Sequence, residues 1–303
     1  MLRKVNLVGT GTLTISLPSN WIERLNIRKG DELDVIEKDE GSLVISKNII
    51  QNEKKIKYLE VSGLSIFLEK YIAGFYKSGF DKLEVKYSSP EELKIIQDLL
   101  EKTCIGFDII EHDKNNISIE IISEIDIEEF DKIFRRNLVT MELISLELAE
   151  SIANKDIPGI KTCILKHHLI NKYSDYLRRC LNKYPTKFKN IGPKYTAIEL
   201  LEMIADLYRS ISEDIVKYDL KLSNDLQKIL TESNDYFILM KEIFYKYDKE
   251  KMRIFIEKKK NFNKNLIPNN LKLKPNEIMI FLYLKSIIQI IYDFNGLIMT
   301  MNS

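Results

Sequence analysis

The chain has 303 residues, long enough for two or three domains, and its 45% hydrophobic and 30% charged content excludes disordered and collagen-like classes. Lys+Arg number 46 against 45 Asp+Glu, so a formal charge of +1 excludes a histone-like binder that acts through its overall field. Three cysteines (Cys104, Cys163, Cys180) without a C-x-x-C pair fit neither a disulfide framework nor a zinc knuckle, and the longest apolar run, Ile278 to Leu284, stops at Lys285. A cytoplasmic protein without a membrane span is expected.

Residues 1–48 alternate: Val5 and Leu7, then Leu13, Ile15 and Leu17 against Thr12, Thr14 and Ser16, then Leu33 and Val35, then Leu43 and Ile45. This predicts four half-buried strands. Pro18 and Ser19 open a short helix between the second and third, and Gly30 ends the turn after it, so the order is β-β-α-β-β. One thin apolar face cannot bury a core, which predicts a homodimer through residues 1–48.

Residues 53–123 read as a βαβαββ module, with strands near 56–61, 83–87, 107–111 and 117–122. Its first helix presents Leu64, Phe67, Leu68, Ile72 and Phe75 and ends at Gly79. The second opens with the capping box Ser89-Pro90-Glu91-Glu92, ahead of Leu93, Ile96 and Leu100.

Residues 125–303 read as six helices in two three-helix bundles, about 125–220 and 221–303. The first ends before Asp156-Ile157-Pro158-Gly159, the second runs to Lys183, and the others span Lys194–Tyr218, Asn224–Tyr247, Lys249–Lys264 and Pro275–Thr300. Ala197, Leu201, Ile204, Tyr208, Ile211 and Ile215 form a bundle seam. The fold class expected is therefore α+β and multidomain. Glu202-Met-Ile-Ala-Asp206 in the third helix returns as Gln289-Ile-Ile-Tyr-Asp293 in the sixth, a weak internal repeat.

The P-loop, H-E-x-x-H and G-x-S-x-G patterns are missing, and Gly9-Thr-Gly11 leads into a strand, so no enzymatic role is expected. The neighbouring His167 and His168 point about 100° apart on a helix and read as surface histidines. Glu202 and Asp206 share a helix face and could hold a divalent metal ion with Asp293; equally, Glu202, Asp206, Arg209 and Glu213 form a solvated flank with an Asp206–Arg209 pair. Asp293, between Ile290, Ile291, Tyr292 and Phe294, wants a partner. Candidate DNA-binding residues are Arg3, Lys4, Arg24, Arg28 and Lys29. Yet residues 1–50 carry seven basic side chains against seven acidic ones, so affinity must rest on spatial segregation of charge. Lys258, Lys259, Lys260 and Lys264 read as a solvated helix end.

Residues 5–46, VNLVGTGTLTISLPSNWIERLNIRKGDELDVIEKDEGSLVIS, resemble the AbrB/MazE/SpoVT swapped-hairpin family. The six-helix part, through ELLEMIADLYRSISEDI, resembles the PhoU phosphate-uptake regulators, and the order of modules is similar to archaeal-type regulators that combine the two. The resemblance implies a dimeric regulator of phosphate uptake whose partners are DNA and phosphate transporter subunits or a signalling protein. In that family acidic pairs hold metal clusters; Gln289 and Asn171 depart from the pattern and supply no charge. The alternative is an AbrB-type DNA-binding transcriptional regulator whose helical part senses another effector. A metal-dependent enzyme in the bundles is a third reading, without an acid-base or nucleophile constellation to accompany it.

Overall fold

A computed structural model of the chain describes residues 2–38, 41–47, 54–64, 66–123, 128–266 and 273–303. The joint expected at 48–53, the start expected for the helical part at 125, the acidic pair Asp39 and Glu40, and most of the loop expected at 265–274 lie outside the described residues. The chain divides into two compact units, Met1–Lys54 and Lys55–Ser303.

The first unit has the expected β-β-α-β-β order. Strands β1 (Val5–Val8) and β2 (Thr12–Ile15) pair antiparallel, with Val5 opposite Ile15 and Leu7 opposite Leu13. Gly9, at φ +66°, supplies the left-handed residue of their turn. Helix α1 (Ser19–Arg24) follows Pro18, whose fixed φ suits a helix start. Strands β3 (Asp34–Lys38) and β4 (Ser42–Ser46) then form a second antiparallel hairpin, with Val35 opposite Ile45. The two hairpins are separate two-stranded sheets.

The second unit begins with a four-stranded sheet made of β5 (Ile56–Glu60), β6 (Lys82–Lys86), β7 (Phe107–Asp113) and β8 (Asn116–Ile121). Its order is β5-β6-β8-β7; β5 and β6 are parallel and the other pairs antiparallel. The parallel pair requires a crossover, supplied by α2 (Leu68–Lys77), while α3 (Pro90–Lys102) links β6 to β7. Leu59, Val61, Leu83, Val85, Ile117 and Ile119 bury one sheet face against Leu68, Ile72, Tyr76 and Ile96 of these helices. The capping box is present: Ser89 Oγ accepts from the Glu92 amide at 3.3 Å, and the Glu92 carboxylate accepts from the Ser89 amide at 3.3 Å.

Six long helices follow: α4 (Glu129–Asn154), α5 (Ile157–Lys183), α6 (Ile191–Tyr218), α7 (Asn224–Tyr245), α8 (Lys249–Asn265) and α9 (Ile278–Met301). The whole seam from Ala197 to Ile215 is buried. Side chains from all six helices form one continuous hydrophobic core. The α/β module is joined to this bundle through α2 and α5. Gly79, at φ +83°, ends the turn after α2, and a Cβ there would lie 2.9 Å from Lys183 Cβ, so only glycine lets the two segments approach so closely.

Among the described residues, no helix is long and apolar enough to cross a membrane.

Candidate functional site

In the first unit, Lys4 lies just before β1, Arg24 ends α1, and Arg28 and Lys29 occupy the turn that follows; all four are exposed. Arg3 is half-buried, and its Nη1 donates to Ser16 Oγ at 3.4 Å. The turn that carries Arg28 and Lys29 is tied down. Lys47 Nζ donates to the carbonyls of Leu25 (3.3 Å) and Asn26 (2.9 Å) and to Asp31 Oδ2 at 2.7 Å, while the Arg28 amide donates to the same Asp31 oxygen at 3.0 Å. The Lys47 hydrogen bond, with the Arg28 amide, holds the Asp31 carboxyl below its ordinary value. Asp31 is thus committed to Lys47 and the turn backbone, and the Arg28 and Lys29 side chains beside it are exposed.

The apolar residues of this unit differ from expectation. Its strands were expected to be half-buried, yet among the described residues of the unit none is buried. Val5, Leu7, Leu13, Ile15, Val35 and Leu43 are each more than half exposed. A hairpin has two faces and only one chain's worth of neighbours, so much of the apolar surface remains uncovered, although Ile36, Val44 and Ile45 are partly covered.

The carboxylates proposed as metal ligands do not form one site. Glu202 faces α5, where Arg178 Nη1 lies 2.6 Å away; the same guanidinium reaches Asp175 at 2.8 Å and Glu199 at 2.5 Å. Asp206 accepts from His167 Nε2 at 2.8 Å and lies 3.6 Å from Arg209. The flank pair Asp206–Arg209 is therefore present, but His167 corrects the surface reading: it is buried, whereas His168 is exposed. Asp293 has partners, as its sequence setting demands. Although its sequence neighbours are apolar, it lies on the exposed side of α9, accepts from Gln289 Nε2 at 2.8 Å and is near Lys259. Among the described residues, no three His, Cys, Asp or Glu side chains come together as metal ligands.

Sequence reasoning passed over Arg178 and Arg179. Their signal was an arginine pair between Leu177 and Cys180 in a helix otherwise apolar on that side, and such residues are rarely buried unless paired. Arg179 is fully buried and donates to the carbonyls of Tyr76 (2.9 Å) and Phe80 (2.5 Å) and to Asp81 Oδ1 at 3.1 Å. Lys259 is buried too, over the Tyr292 ring, so it is not part of a solvated helix end. The three cysteines are buried, and burial pushes the thiols of Cys104 and Cys180 up to about 12 and that of Cys163 to about 11, which leaves them inert.

Residues 7–54 match the family described as antidote-toxin recognition MazE, bacterial antitoxin. The matched segment ends where the first compact unit ends. No curated protein and no solved structure matches the chain. Nothing in these comparisons supports the phosphate-uptake resemblance of the helical part or a phosphate transporter as partner.

Proposed function

We propose that the chain is a cytoplasmic, AbrB/MazE-type DNA-binding regulator that acts as a homodimer through its first unit, with the helical part as sensor. The observation that carries this reading is the conjunction of the family match at 7–54 with a β-β-α-β-β unit whose apolar strand faces are uncovered in one chain. Burying an aliphatic side chain contributes about 1.5–3 kcal/mol, so a second copy laid on Val5, Leu7, Leu13 and Ile15 supplies the missing core and offsets the cost of association. The same assembly doubles Lys4, Arg24, Arg28 and Lys29, which allows binding to DNA phosphates by a unit with no net charge.

Light scattering at micromolar concentration should give twice the 35.6 kDa chain mass. Gel retardation of duplex DNA should weaken with salt, and replacing Arg3, Lys4 and Arg24 together by Ala should abolish it. A monomer would overturn the dimer; retardation unchanged in the triple variant would remove these side chains from the interface.

A further inference from the structure

We infer that the end of the bundle where α4 passes into α5 and α6 into α7 is a binding site for a small anion with an apolar body, of the aryl or short-chain carboxylate class. A cavity of about 150 Å³ opens there. Its walls are aliphatic: Ile152 at the end of α4, Ile157 and Ile160 at the start of α5, Ile215 near the end of α6, and Leu220 and Leu222 in the connection to α7. Space of that size is large enough for one six-membered ring.

The polar groups come from the two connections and the first turn of α7. Lys155, Asp219, Lys221 and Gln227 line the same cavity, and Lys155, Asp219 and Lys221 are exposed, so its mouth carries two cations against one anion. Lys155 (φ +56°) and Asp219 (φ +47°) hold equivalent left-handed positions after α4 and α6, where glycine is the unstrained choice. The ring or chain of the ligand would enter between the isoleucines, with its carboxylate left at the lysines.

The inference lies wholly within the second unit and does not depend on DNA binding. Its test is calorimetric titration of the full-length protein with benzoate and with the neutral probe benzyl alcohol. Benzoate should bind saturably at millimolar concentration or tighter, the range open to so small a ligand, and benzyl alcohol about tenfold more weakly. Lys155→Gln with Lys221→Gln, both exposed and so compatible with folding, should bring benzoate down to the level of benzyl alcohol and leave the alcohol unchanged. Leu220→Trp, which fills the cavity from a half-buried position, should abolish binding of both while helicity is retained. Lack of saturation up to about 10 mM would overturn the site, as would undiminished benzoate binding in Leu220→Trp. Equal affinities for the two probes would overturn its preference for anions.

Discussion

Glu202 and Asp206 occupy the same face of α6, yet their surroundings drive their protonation in opposite directions. Burial raises the Glu202 carboxyl above its ordinary 4.5 even though Arg178 opposes the shift. The hydrogen bond from His167 lowers the Asp206 carboxyl below its ordinary 3.8. The linkage follows with opposite signs. The folded state holds a proton on Glu202 more firmly than the unfolded state does; this contribution is present below about pH 4.5 and is lost as pH rises through the folded value. Asp206 contributes stability that is present above about pH 4 and is lost as pH falls through its lower folded value. Urea midpoints measured from pH 3 to 7 should therefore rise less steeply below pH 4 in Asp206→Asn than in the parent. In Glu202→Gln, the decline above pH 4.5 should flatten. Parallel pH profiles for the parent and both variants would refute this assignment of the two carboxylates.

At the scale of elements, Glu92 does more than complete the capping box of α3. Its carboxylate accepts from the amide of Gly63 at 2.7 Å, from the amide of Ser88 at 2.7 Å and from Ser88 Oγ at 3.0 Å, so it joins the connection after β5 to the one after β6. These hydrogen bonds, led by that of Ser88, keep the carboxyl below its ordinary value in spite of burial. Ser89→Ala removes a single cap and should cost about 1 kcal/mol. Glu92→Ala strands several amides and should cost about 2–3 kcal/mol, read as a lower urea midpoint with unchanged m-value. Equal losses for the two variants would show that Glu92 acts only as a cap. Glu277 works in the same way between helices: buried, it accepts from the Ser223 amide at 2.5 Å ahead of α7 and from the Lys274 amide at 2.9 Å ahead of α9.

For the second unit as a whole, the governing contact is Arg179. Its guanidinium lies against the rings of Tyr76 and Phe107, 5.1 and 5.0 Å from their centroids, and shares Asp81 with Lys183. Tyr76, Asp81 and Phe107 belong to the α/β module and Arg179 and Lys183 to α5, so the ion pair fastens sheet module to bundle. Removing the cation alone leaves Asp81 buried and under-compensated, a change that costs about 3–5 kcal/mol. Arg179→Ala should therefore turn a single cooperative urea transition of residues 55–303 into two, with the sheet module melting first. A single transition with an unchanged midpoint would show that the modules hold together without it.

Period and punctuation in the sequence determined the elements of this protein. The alternation of Val5, Leu7, Leu13 and Ile15, the capping box at Ser89 and the three-four spacing from Ala197 to Ile215 each express local physics, in which a residue's neighbours along the chain decide its conformation. The seven-against-seven balance of charge in residues 1–50 was equally open to inspection, as was the likeness of that segment to a swapped-hairpin family. What was not legible was which side chain met which. Asp293 stands among apolar sequence neighbours, yet a helix turns about 100° per residue and carries it to the outer side of α9, where Gln289 partners it. His167 and His168 are adjacent in the chain and were read alike; that same rotation buried one against Asp206 and exposed the other. Glu202 and Asp206 share a face, as their spacing required, but whether that face met further carboxylates or cations depended on α5, which brought Arg178 and His167. Such pairings join residues tens of positions apart, Arg179 to Asp81 among them. Only tertiary packing decides them, because a partner's identity depends on how helices dock, which the periodicity of one helix does not encode.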